Sequence, residues 1–283
     1  MNAVQDIRPS PIAGRWYSSD PLELANTIDG YLESARLPEF EGDVIGLIVP
    51  HAGHVYSGPV AAYAFKAAAG MKFDLVAILS PMHQYYPHPL VTSAHQAYAT
   101  PLGVVPIDRE KVQEANRILE TELGFGIFPV SNDGEHSLEI ELPFIQRVLP
   151  DPFKLLPIMM VDQSPGVAHS MAKALGKIFS GEKVLIVASS DLSHYYSKDV
   201  ARRMDIAILD QVARFSPEGL FEVESHRRGY ACGLAPMAAA LWVGQELGAD
   251  QVKVLHYATS GDVTGDFSAV VGYGAAAILK TRT

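Results

Sequence analysis

The sequence predicts an α/β protein: one domain spanning residues 1–283, with a central, mostly parallel or mixed β-sheet and helices on both faces. Two observations carry this. Four apolar runs (44–49, 74–80, 153–161 and 183–191) have the length and composition of strands buried on both faces. Helical patterns lie between them, so strand and helix alternate along the chain. No Gly/Ser/Pro-rich linker, internal repeat or low-complexity tract divides it.

Asp20-Pro21 caps an amphipathic helix over 22–35. VIGLIV (44–49) is the first buried strand, and Pro50-His51 follows it directly. Gly53, Gly58 and Pro59 read residues 51–58 as a loop, with a small-residue helix from 60 to Gly70. DLVAILS (74–80) is the second strand, ending in Pro81-Met82-His83. Residues 84–105 read as irregular, and 109–123 as helical. A further helix is expected over 136–149 despite Pro143. The third strand is 153–161, then helix 166–179, then KVLIVASSD (183–191). Helices follow over 198–215 and 217–227. Cys232-Gly233-Leu234-Ala235-Pro236 opens another, running to Leu247. Two strands, 251–259 and 267–279, close the pattern.

Bulk composition narrows the function. The net charge of −10 gives no electrostatic footprint for nucleic acid. No apolar run reaches the roughly 18 residues of a membrane span. MNAVQDIRPSPIAG lacks an apolar signal core, so the expected location is cytoplasmic. A single cysteine, Cys232, excludes an intramolecular disulfide.

In open α/β sheets, ligand groups gather beyond the carboxyl ends of the strands. Three predicted strands end alike: one in His51, one in His83, and one in Ser190-Asp191 with His194 three residues on. A single histidine in a turn needs no functional explanation, but three strand ends delivering imidazole or carboxylate to one edge point to a shared polar site. Neutral imidazole suits iron, copper and zinc. Cys232 offers a thiolate, and its place just before a helix start should lower its pKa. Two histidines and one anionic ligand leave coordination positions open for substrate, as catalytic sites do. His194 or Asp191 would then handle a proton. In the 51–58 loop at most one of His51 and His54 need face the site. His136 and Glu139 read equally well as a helix cap with a site-facing acid or as a solvated face. Trp16, Tyr56 and Tyr195 are candidates for the pocket lining or for plain packing. VGYGAA (271–276) mimics a dinucleotide fingerprint, but too little chain follows for the second half of that unit. The commonest serine-hydrolase and P-loop motifs do not occur.

Seven ordered blocks resemble the Memo family, whose prokaryotic members are called AmmeMemoRadiSam system protein B: RPSPIAGRWYSSDP, PHAGHVYSGPVAAYAF, LSPMH, EHSLEIELPF, SSDLSHY, ACGLAP and YATSGDVTGDFSAVVGYGA. The resemblance implies a fold similar to class III extradiol dioxygenases of the LigB type. There two histidines and a glutamate bind iron and another histidine is the acid/base. By motif, His51 and His83 fall at the metal histidines, His194 at the acid/base, and Cys232 where the dioxygenases carry glutamate. The implied cofactor is a mononuclear metal ion, iron(II) ahead of copper or zinc, and the implied ligand a small aromatic or phenolic molecule. The cysteine is softer than a carboxylate, and His54 stands where the family pattern usually shows an aromatic, adding to the polar lining or offering a further ligand. Three functions are expected to compete. The first is a metal-dependent, dioxygenase-like oxidoreductase. The second is a non-catalytic binding protein working with AMMECR1-type and radical-SAM partners. The third is a metal-free hydrolase using Cys232 with a histidine base.

Overall fold

The computed structural model describes residues 6–131, 133–150 and 152–282; the first five residues of the stretch read for a signal core lie outside these. In chain order the strands are β1 Ile7–Arg8, β2 Asp43–Val49, β3 Leu75–Pro81, β4 Leu90–Ser93, β5 Ala97–Thr100, β6 Gly103–Pro106, β7 Ile127–Val130, β8 Lys154–Met160, β9 Val184–Ser189, β10 His194–Tyr196, β11 Gln251–Thr259 and β12 Val270–Lys280. The α-helices are α1 Pro21–Ser34, α2 His54–Ala67, α3 Arg109–Leu123, α4 Leu142–Val148, α5 Pro165–Phe179, α6 Lys198–Ala213, α7 Pro217–Ser225, α8 Leu234–Glu246 and α9 Gly261–Thr264. A 3₁₀ turn at Glu139–Glu141 runs into α4.

The main sheet is mixed, in the order β10-β12-β2-β9-β3-β8-β4-β7, with β11 also paired to β12. Its centre, β2-β9-β3-β8, is parallel. β12 runs antiparallel to β2, β10 and β11. The apolar runs are these central strands, and β3 and β9 are buried along their whole length. Each fully buried Leu, Ile or Val there contributes about 1.5–3 kcal/mol against exposure. α8 packs on β2, β3 and β9 and is itself covered by α5 and α7. It is apolar all round, as a helix enclosed by protein must be. α2 packs on β2, β11 and β12 beneath α1 and α4. A small second sheet, β1-β5-β6, accounts for much of the stretch expected to be irregular.

Three differences from the sequence reading have physical causes. The small sheet and β4 use strands of at most four residues, too short for alternation to show. α2 starts at His54, not after Pro59: Gly53 is its N-cap, and the His54 amide donates to the Trp16 carbonyl at 2.9 Å. Pro59 forfeits one helical hydrogen bond, to the carbonyl of exposed Val55, where solvent can serve it. The helix expected over 136–149 exists only from Leu142, because Pro143 favours a first turn rather than an interior. His136 therefore sits in the loop ahead of it.

Candidate metal centre

β2, β9 and β3 are adjacent, parallel and in step, with Val49 opposite Ser189 and Leu79 opposite Ala188. Residues just beyond their carboxyl ends must therefore meet at one edge. They are His51, Asp191 and His83, as the strand-end argument expected. All three line one cavity of about 710 Å³.

His51, His83 and His136 form a cluster in which one ligand nitrogen from each lies within 4.8 Å of the others. The rings of His83 and His136 stack at 4.8 Å, and His51 meets both nearly edge-on at 5.3 and 5.4 Å. Trp16 packs on the far side of His136, 4.1 Å between ring centres. One carboxylate organises two of the imidazoles. Glu135 accepts the His83 backbone N–H at 2.6 Å, the His83 Nδ1 contact at 2.9 Å, and the N–H groups of His136 and Ser137 at 3.0 and 2.9 Å. His136 Nδ1 is 3.3 Å from the same oxygen. With Nδ1 hydrogen-bonded to Glu135 in His83 and facing the same carboxylate in His136, Nε2 is the nitrogen left for a ligand on both rings. His51 is fixed separately, with Nδ1 2.8 Å from Ser189 Oγ and Nε2 3.1 Å from Cys232 Sγ.

The charges follow from burial and from Glu135. Burial, reinforced by the other two histidines, holds His51 well below the usual histidine range. Burial puts His136 at about 4. Burial also lowers His83, but the hydrogen bond and charge of Glu135 outweigh it and the net shift is upward. For Glu135 burial acts upward, and the His83 hydrogen bond and charge bring it far below the usual carboxylate range. Two imidazoles are thus kept neutral, the form a metal requires.

Asp191 Oδ1 accepts the backbone N–H groups of His51 at 2.7 Å and Ala52 at 3.3 Å, and burial raises its carboxyl to about 7. His194 opens β10 and lines the same cavity. Its Nε2 is buried without a hydrogen-bond partner, and burial lowers its pKa. Tyr56, Tyr195 and Tyr273 add aromatic walls, and Arg15 a cation, to the cavity. Tyr195 is 76 % exposed with φ of 63°, a left-handed backbone rare for an aromatic residue, at the rim.

Several expected residues are placed differently. Cys232 is not part of the three-histidine cluster that could hold a metal: its sulfur takes the Asp191 N–H at 3.2 Å and, of the three rings, stands beside His51 alone. Its thiol is pushed up, not down, because burial and the Asp191 charge exceed any help from the helix start. That disfavours a metal-free thiolate nucleophile. Gly233 lets this loop press on β9, since a Cβ there would strike the Ser189 carbonyl. His54 does not line the cavity. Its Nε2–H donates to the Ile140 carbonyl at 3.0 Å, its ring packs between Tyr17 and Phe144, and burial puts it at about 4. Glu139 is also a core residue. It binds Arg8 at 2.5 Å, Tyr17 at 2.7 Å and Ser10, and Arg8 pairs in turn with Asp133 at 2.6 Å. This buried network anchors the N-terminal segment that carries Arg15 and Trp16 to the site. The sequence reading missed Glu135 and Ser189. The only available signal was adjacency, Glu135 to His136 and Ser189 to the strand end.

Residues 8–277 match the family model described as Memo-like protein. Full-length relatives described as MEMO1 family proteins include one from Nitrosopumilus maritimus, 36% identical over 95% of this chain and 98% of its own. Another, from Pyrobaculum aerophilum, is 34% identical over 98% and 99%. A third, from Methanococcoides burtonii, is 36% identical over 97% and 100%. Among solved structures, an uncharacterized protein of Escherichia coli K12 superposes with a TM-score of 0.56 at 12% identity. It covers 83% of this chain and 99% of its own, a likeness of fold alone. Among the described residues no helix is long and apolar enough to cross a membrane.

Proposed function

Because this chain belongs to the Memo family, we propose that it is a metal-dependent, dioxygenase-like oxidoreductase acting on a small aromatic or phenolic molecule, with iron(II) or copper at His51, His83 and His136. The observation that carries the reading is the convergence of three imidazoles on the wall of a large aromatic-lined cavity. The donor set fits the group: two of the three rings are kept neutral, Nδ1 is hydrogen-bonded in His51 and His83, and in His136 it lies 3.3 Å from Glu135. Cys232, beside His51, is the nearest further donor.

A bound iron or copper ion would supply Lewis acidity and one-electron chemistry. The chain's own residues do the rest. Trp16 and Tyr273, both on the cavity wall, offer aromatic surface to a flat ligand. His194, neutral with Nε2 unpartnered, accepts the proton of a phenolic hydroxyl. Asp191, poised at about 7, holds the turn that aims His51 and offers a second proton site. The test is metal analysis of anaerobically purified protein together with oxygen uptake on catechol-type substrates. Bound metal that is lost in His51→Ala, with uptake that needs His194, supports the reading; no metal in the wild type overturns it.

One observation favours a second reading. The clustered donors are all imidazoles, whereas the dioxygenases use two with a carboxylate. Tight metal binding without turnover would make the chain a binding protein, with AMMECR1-type and radical-SAM proteins as its partners.

A further inference from the structure

Behind His51 lies a polar group that the proposed chemistry does not use. Ser189 Oγ lies 2.8 Å from His51 Nδ1, 2.6 Å from the Ser137 carbonyl oxygen and 3.0 Å from Glu141 Oε1. A hydroxyl has one proton to give and two lone pairs. The carbonyl can only accept, and it is the shortest contact, so the serine proton belongs there. Both remaining partners must then be donors.

We propose that Glu141, as a neutral carboxylic acid, acts with Ser189 as a tautomer lock on His51: the Glu141 O–H and the His51 Nδ1–H both donate to Ser189 Oγ, which leaves the lone pair of His51 on Nε2. Glu141 is a positioning residue, since it reaches His51 only through Ser189. The inference rests on the metal reading only for what that lone pair serves.

Two further observations agree. Glu141 is 1 % exposed and appears in none of the ion pairs among the described residues, so its ionised form would be a buried, uncompensated charge. Burial and the nearby Asp191 accordingly push its pKa well up. On the opposite side of the ring, Cys232 Sγ accepts the Asp191 N–H at 3.2 Å and stands 3.1 Å from Nε2. The thiol has two acceptors in reach, Nε2 at 3.1 Å and the Asp191 carbonyl oxygen at 3.6 Å, and the shorter contact fits a bare Nε2. Every polar atom around the ring is satisfied in this tautomer; with the proton on Nε2, Ser189 would have to give one proton to two acceptors.

The experiment is ¹⁵N NMR of the His51 ring in metal-free protein at pH 7.5, with infrared detection of the Glu141 carbonyl. The expected result is a proton on Nδ1, a bare Nε2, and a protonated-acid band that vanishes in Glu141→Gln. Glu141→Gln, which can still donate an N–H, keeps the tautomer, whereas Ser189→Ala and Glu141→Leu release it. The same two releasing variants bind Zn²⁺ roughly 10–100-fold more weakly. A proton on Nε2, an ionised Glu141, or an unchanged tautomer in Ser189→Ala overturns the lock. Glu141→Gln and Ser189→Ala suffice if Glu141→Leu does not fold. A wild type with the Nδ1–H tautomer but no affinity for Zn²⁺, iron(II) or copper would sink the metal reading while leaving the lock standing.

Discussion

Glu135→Gln is the substitution that most directly probes how the centre is built. The carboxylate accepts four hydrogen bonds, one of them, at 2.6 Å, from the His83 backbone N–H to Oε2. The other three converge on Oε1, which an amide oxygen can replace without charge. An NH₂ group in place of Oε2 would then face the His83 N–H, donor against donor. One charge-assisted bond becomes a repulsion, at a cost of about 2–4 kcal/mol in stability. His83 also loses the charge that raises its pKa, and both His83 and His136 lose the partner that orients them. Losing such a partner typically weakens metal affinity about 10–100-fold. The assay is chelator competition with Zn²⁺ or Co²⁺ in wild type and variant, beside urea unfolding of the metal-free proteins. Weaker binding together with lower stability is expected. Unchanged metal affinity would refute the role assigned to Glu135 and the alignment of His83 and His136 with it.

Other outcomes follow from the same contacts. His54 titrates at about 4 when folded and near 6.5 when unfolded, so the unfolded chain takes up its proton first. Its contribution, at most about 3 kcal/mol, is present above pH 6.5 and lost as pH falls toward 4; His54→Asn should flatten that limb of a urea–pH series. Asp191 acts with the opposite sign, because its folded pKa of about 7 stabilises the protein at acid pH and loses that effect as pH rises from about 4 to 7. Metal affinity should fall on acidification, since His83, whose pKa is raised, must shed its proton to bind while His51 and His136 are already neutral, and competition titrations from pH 8 to 6 will show it. Arg8→Ala should cost about 3–5 kcal/mol, because it strands Asp133 and Glu139 in the core. Arg8→Ala should also weaken ligand binding through the displaced Trp16, read as a lower melting temperature and a raised ligand Kd.

The parts of the fold that were legible are those where one periodicity dominates. The central strands are continuous apolar runs because helices cover both faces, and their carboxyl ends gave His51, His83 and Asp191 directly. What escaped depends on partners distant in sequence. β1, β5 and β6 are too short to carry a pattern and exist by pairing with one another. His54 looks equivalent to His51 in the sequence, yet the helix that starts at His54 turns it into the core against Phe144. Glu139 looks like a site acid until Arg8, 131 residues away, claims it. Glu135 and His136 lie on a loop with no periodicity, and only the packing of that loop against the end of β3 makes them part of the centre. Position along a strand reveals which residues reach an edge; it does not reveal which loop from elsewhere closes over them.

The most direct test of the central claim is the anomalous scattering of a crystal loaded with iron(II), copper or zinc. The account predicts a single ion in the cavity, at roughly 2.0–2.2 Å from one ring nitrogen each of His51, His83 and His136. An ion bound by His51, His83 and Cys232 with His136 turned away, or no ion at this edge of the sheet, would contradict it.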